Sequence, residues 1–227
     1  MTHLLEVDSV LLEFGTKRVL QDIYLKSETG KVLGLLGRNG TGKSCLMNII
    51  YGELLPNDKS IRLDGKSFVT KHRYPGDLKY LPQFGFIPKS LSLKRIFKDF
   101  KLDFGDFINE FPEFDKYYSQ KLSRLSGGER RIVEIYSILV SKTKFCMLDE
   151  PFSHIMPIHV DAIKNLIGRE KKNKGIIMTD HLYEYLIDIC DDLYLIHLGK
   201  TYRVRSLKDL EDFGYAKIGE TSGKIER

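Results

Sequence analysis

The chain has 227 residues, 42% of them apolar, and its 36 basic and 31 acidic side chains leave a net charge of +5. That length buries one sizeable core, and a charge so nearly balanced gives no argument for a nucleic-acid partner. No stretch approaches the roughly 20 apolar residues that span a bilayer, Glu6, Asp8 and Glu13 interrupt any leader-like run, and three cysteines (Cys45, Cys146, Cys190) with no C-x-x-C pair predict reduced, cytosolic thiols.

Leu4-Leu5-Glu6-Val7 and residues 19–25, 60–63 and 67–70 alternate as β-strands do and predict a small antiparallel layer. Between them, Val32-Leu33-Gly34-Leu35-Leu36 reads as a buried strand and Leu46-Met47-Ile49-Ile50 as a helix. Joining the two is Gly37-Arg38-Asn39-Gly40-Thr41-Gly42-Lys43-Ser44, which fits the phosphate-loop pattern G-x-x-x-x-G-K-[ST]. Strand, glycine loop and helix N-terminus together aim backbone N–H groups at one point, where a triphosphate can sit. Glycines at 37, 40 and 42 keep side chains off the phosphates. Lys43 reaches the β- and γ-phosphates, and the Ser44 hydroxyl ligates Mg²⁺.

Leu78-Lys79-Tyr80-Leu81-Pro82 is strand-like and ends at Gln83. Residues 83–125 are rich in Phe, Lys and Asp, with helical spacing at Leu93-Ile96-Phe97-Phe100 and Phe107-Ile108-Phe111. A short sequence, Leu125-Ser126-Gly127-Gly128-Glu129, then opens an apolar-periodic helix (Ile132, Val133, Ile135, Tyr136, Leu139). Its start offers a hydroxyl and two uncovered amides at the anion-attracting helix end. Phe145-Cys146-Met147-Leu148 reads as a buried strand ending in Asp149-Glu150, where the strand-terminal Asp149 of the phosphate-loop class holds Mg²⁺ through water. Helices at Val160-Ile163-Ile167 and Leu182-Leu186-Ile189 alternate with strands at Gly175-Ile176-Ile177-Met178 and Leu193. The order implies an α/β fold with a right-handed parallel sheet and its site at the carboxyl edge. Arg169-Glu170-Lys171-Lys172-Asn173-Lys174 reads as a solvated helix end, and a short helix at Leu207-Leu210 precedes a polar tail expected to fray from Gly219.

Through Leu125-Ser126-Gly127-Gly128-Glu129, in order with the other motifs, the chain resembles the ATP-binding cassette ATPases over about residues 1–205. The likeness implies a phosphate-loop NTPase core with a parallel sheet, an antiparallel β subdomain, and a helical arm (about 86–142) carrying the signature; residues 206–227 add the short helix and tail. It also implies an ATPase powering a transporter, with Glu150 as general base, His181 as the switch histidine and Gln83 in the Mg²⁺ shell. Phe14 would stack on adenine, and residues Gly37, Arg38, Asn39, Gly40, Thr41, Gly42, Lys43, Ser44 and Cys45 would bind the nucleotide. Ser126, Gly127, Gly128 and Glu129 would act in trans from a second copy. The implied partners are that copy and membrane permease subunits on other chains, contacted near Phe84-Gly85-Phe86-Ile87-Pro88 at the cytoplasmic membrane face. Around Ser126 to Ile135, Asp149 to Phe152 and Thr179 to His181 the chain is similar to ATPases of lipopolysaccharide export and of branched-chain amino-acid uptake. Tyr136, Ser137 and the 153–156 loop depart from them. In particular Met156, unable to carry charge, stands where an aspartate is expected. A soluble assembly or scaffold ATPase is the alternative that the same motifs allow.

Overall fold

The computed structural model describes residues 2–67 and 76–216. Two sheets share the work. β1 (Leu4–Phe14), β2 (Lys17–Glu28), β4 (Asp58–Leu63) and β5 (Lys66–Ser67) form an antiparallel sheet of order β2-β1-β4-β5. β1 and β2 alternate buried and open positions, as a layer with one face on the core must. They run longer than the expected 4–7 and 19–25, and register shifts along their pairing absorb the extra length. Of the expected 67–70 strand only Ser67 falls within the described residues, and the tail from Gly219 lies outside them.

β3 (Val32–Leu36), β6 (Leu78–Leu81), β7 (Phe145–Asp149), β8 (Gly175–Thr179) and β9 (Asp192–His197) run parallel, joined at the edge by antiparallel β10 (Lys200–Val204), in the order β10-β9-β3-β8-β7-β6. β3, β7 and β8 are buried at every position, which is why they read as unbroken apolar runs. Alternate residues feed opposite cores. Val32, Leu36, Cys146 and Leu148 face the helical side, while Leu33, Leu35, Phe145 and Met147 face the antiparallel sheet and α1 (Lys43–Tyr51). β10 was not legible as a strand, because an edge strand with one buried residue carries little apolar pattern.

The arm holds α2 (Leu93–Phe100) and α3 (Phe104–Glu110), two 3₁₀ turns, and α4 (Gly127–Leu139). Its phenylalanines are its core: Phe97, Phe104, Phe107, Phe111 and Phe114 meet one another and Tyr136 at ring separations of 4.8–6.2 Å. α5 (Pro157–Glu170), α6 (Tyr183–Ile189) and α7 (Leu207–Asp212) complete the chain. One expectation fails inside the 169–174 run. Lys174 is buried, not solvated, and its ammonium donates to Leu139 O and Ser141 O, each at 2.6 Å. It satisfies the open carbonyl end of α4, which lies more than thirty residues away in sequence.

Candidate active site

Parallel strands end on one edge, so β3, β6, β7 and β8 deliver the loop at Gly37, Gln83, Asp149-Glu150 and His181 to the same place. The 37–44 loop turns into α1 through Gly42, at φ +100. A methyl there would stand 2.8 Å from Leu20 Cδ2, so both backbone and space demand glycine. The Lys43 ammonium is buried and donates to Gly37 O (2.6 Å) and Arg38 O (3.3 Å). Burial pushes its pKa down, against the opposing pull of the Glu150, Asp149 and Asp180 carboxylates. Ser44 and Cys45 open α1, and burial raises the Cys45 thiol. Thr41 Oγ1 donates to Arg38 O, closing the loop, while Asn39 and Gly40 are exposed. Arg38 itself turns to the C-terminal segment and donates to Gly214 O.

Glu150 stands at φ +50, strained for a residue with a side chain, and is 5% exposed. One carboxylate oxygen lies 2.6 Å from His181 Nε2. The other accepts from Gln83 Nε2 (2.8 Å) and Ser153 Oγ (3.3 Å). Gln83 and His181, both expected to act with Glu150, are thus each within hydrogen-bond reach of its carboxylate. Asp149 lies deeper. Tyr80 Oη donates to Oδ2 at 3.1 Å and Thr179 Oγ1 to Oδ1 at 2.6 Å. Asp180 accepts from the Phe152 and Leu182 amides, both at 3.0 Å, tying the loop after Glu150 to the loop holding His181. Its burial raises its pKa, partly offset by those two amides.

The remaining expected residues sit apart from this cluster. Phe14 ends β1 and is 54% exposed, so it is not part of the core. Ser126 caps α4 in a reciprocal box: its hydroxyl accepts from Glu129 N (3.2 Å), and the Glu129 carboxylate accepts from Ser126 N (2.7 Å). Gly128 is there for a local reason as well, since a methyl would lie 2.7 Å from His154 O. This start of α4 makes no hydrogen bond to the 37–44 loop among the described residues. Phe84 is 78% exposed, whereas Ile87 is buried, so the Phe84–Pro88 stretch is part open surface and part arm core. Met156 is exposed and caps α5 with no side-chain bond.

A family model described as ABC transporter matches residues 20–153, more than half of the chain. The chain belongs to the ABC transporter family. As a member it is an ATP-binding subunit and an ATPase. It is 31% identical to the lipopolysaccharide export system ATP-binding protein LptB of Haemophilus influenzae, over 87% of this chain and 88% of that one. It is 32% identical to the LptB of Acidithiobacillus ferridurans, over 93% and 94%. In fold it is similar to a solved ATP-binding subunit of an ABC transporter, with a TM-score of 0.79, 23% identity, and coverage of 93% and 94%. Among the described residues no helix is long and apolar enough to cross a membrane.

In this ABC ATPase several supporting residues escape a linear reading. Arg131 of α4 donates to Pro82 O (2.7 Å), Asp149 O (2.6 Å) and Glu150 O (3.2 Å). Glu134, one turn on, accepts from the amides of Phe86 (3.1 Å) and Ile87 (3.3 Å). The pair therefore grips the strand end that carries Glu150 and the stretch after Gln83 at once. Tyr80 is a further omission. Burial first, then Asp149, push its phenol well above the ordinary range, so it stays an O–H donor. Tyr80→Phe leaves a buried carboxylate oxygen without its donor, and the urea unfolding free energy should fall by about 1–2 kcal/mol. An unchanged midpoint and slope would mean that this bond contributes nothing in solution.

Proposed function

We propose that this chain is the motor subunit of a membrane transporter of the lipopolysaccharide-export type, driven by ATP-linked closure of two copies. The observation that carries it is the convergence of Gln83, Glu150 and His181 beside Lys43 and Asp149 on one sheet edge. The identity to two LptB proteins over most of both chains supports the export assignment. ATP enters against the 37–45 loop, its adenine on Phe14, and Lys43 exchanges its bonds to Gly37 O and Arg38 O for the β- and γ-phosphates. That exchange favours binding, because the buried Lys43 ammonium is desolvated and, among the described residues, bonds to carbonyls rather than to a carboxylate.

Ser44, Gln83 and Asp149 present a hydroxyl, an amide oxygen and a carboxylate, the hard oxygen donors that suit Mg²⁺, and Asp149 is held ready by two hydroxyl donors. When bound, the ion neutralises charge on the β- and γ-phosphates. Glu150 takes a proton from the attacking water as its oxygen bonds to the γ-phosphorus and the bond to ADP breaks. His181 holds that carboxylate and the γ-phosphate in line. A second copy supplies the Ser126 hydroxyl, the Gly127 and Gly128 amides and the Glu129-capped helix end to the same phosphate. Among the described residues of its own chain the Ser126 oxygen only accepts a bond, which leaves its proton for that purpose. Phe84 and Phe86 offer an apolar seat for a membrane subunit.

Purification of the tagged chain from gently solubilised membranes tests the reading. Integral membrane proteins should co-purify with it, and Phe84→Asp should abolish their recovery without altering the melting temperature. Recovery of the wild type with soluble partners alone would replace the transport reading with an assembly or scaffold role.

A further inference from the structure

After β10 the chain comes back to the phosphate loop. α7 ends in a tight reversal: Gly214 takes φ +61, its amide donates to Glu211 O (2.8 Å), and the Tyr215 amide donates to Leu210 O (2.8 Å). A methyl on Gly214 would meet nothing within 4 Å, so glycine is there for its backbone alone. The reversal is anchored on the sheet. Leu210 is fully buried, and the Phe213 ring packs on Tyr202 of β10 (4.7 Å) and His197 of β9 (5.4 Å).

Two contacts join this segment to the loop. Arg38 donates to Gly214 O, and the Gly37 amide donates to the Tyr215 phenol oxygen. Burial raises the phenol's pKa and the amide pulls it back only in part, so the ring carries a neutral hydroxyl. The same ring meets Tyr183 edge-on at 6.1 Å. Gly37 and Arg38 are also the two residues whose carbonyls receive the Lys43 ammonium. The stretch on which the lysine rests is therefore the stretch that the segment after α7 grips.

We infer that Gly214 and Tyr215 position the phosphate loop for the nucleotide, holding the Gly37-Arg38 backbone in place when Lys43 leaves its carbonyls for the phosphates. The inference rests on the seat proposed above for ATP at residues 37–45 and adds to it a brace from a distant part of the chain. A loop rich in glycine has many backbone states to lose on ordering. Contacts from outside the loop remove those states before ATP arrives, and such preorganisation appears as affinity. Without the brace only a fraction of molecules holds a binding-competent loop, and the apparent dissociation constant rises by the inverse of that fraction. Neither Gly214 nor Tyr215 hydrogen-bonds Glu150, Gln83 or His181 among the described residues, so the brace bears on binding and not on the chemical step.

The test sets the full-length wild type beside Tyr215→Phe, which deletes the oxygen at Gly37 and keeps the ring on Tyr183, and Tyr215→Ala, which deletes both. Calorimetric titration with Mg-ADP reads binding to the single chain, with no hydrolysis and no second copy required. Tyr215→Phe should bind roughly fivefold more weakly, the worth of one hydrogen bond, and Tyr215→Ala more weakly still. In turnover the KM for ATP should rise while kcat stays within about twofold of the wild type. The melting temperature of Tyr215→Phe without nucleotide should stay within about 3 °C of the wild type, which separates loop positioning from lost folding. Equal Mg-ADP affinity in all three proteins overturns the inference alone. Tighter binding by the variants overturns it as well, and would make the segment an inhibitory strap. A fall in kcat at unchanged affinity would place the effect at the His181 loop through Tyr183 and likewise overturn the brace. Wild type that binds no Mg-ADP overturns the proposed nucleotide seat together with it.

Discussion

Glu150→Gln should lower ATP turnover by about a thousandfold, within the range for loss of a positioned general base, while ATP still binds. The amide is isosteric but takes no proton from water. Its contacts within the site change by little, because a Gln oxygen still accepts from Gln83 Nε2 or from Ser153 Oγ. The strained backbone at φ +50 is untouched. With hydrolysis blocked, the nucleotide-bridged pair of copies has no exit, so the variant should run as a dimer with Mg-ATP and as a monomer without it. Light scattering after size exclusion, beside phosphate release, measures both. Turnover within tenfold of the wild type would remove Glu150 as the base, and a monomer at saturating Mg-ATP would remove the closed dimer.

Lys43→Met should separate binding from folding. The Lys43 pKa is pushed down by burial from its ordinary 10.5. A folded-state pKa below the unfolded one means that the fold disfavours the proton. The resulting cost applies in full below the folded pKa and disappears as pH rises past the unfolded value. Below its folded-state pKa the nucleotide-free protein therefore carries a desolvated cation. Methionine removes it while keeping most of the volume, so the melting temperature without nucleotide should be no lower than that of the wild type. The stabilisation by Mg-ATP should vanish, because the phosphates lose their cation. Binding at 100 times the dissociation constant stabilises by about 2.7 kcal/mol, a shift that differential scanning fluorimetry resolves. A Met variant that keeps the full nucleotide-induced shift would mean that Lys43 does not contact the phosphates.

How much of this was written in the chain itself depends on how local the chemistry is. The phosphate loop is one contiguous stretch whose glycines, lysine and serine act through their own backbone. The helix cap at Ser126 and Glu129 closes within four residues, and the central strands advertise themselves because both faces are buried. Family, fold class and ATPase chemistry follow from such segments and their order. Contacts between distant segments carry no periodicity and stayed hidden. Tyr80 and Thr179 reach Asp149 from neighbouring strands, and Arg131 and Glu134 bind backbone that no sequence pattern marks. Lys174 looked like one cation in a solvated run until α4 supplied carbonyls for it. Gly128 shows the same division: its place in the signature was legible, but the carbonyl of His154 pressing against it was not. Residue types and spacing determine which chemistry is possible, whereas packing alone decides which carboxylate is held, by whom, and at what cost in desolvation.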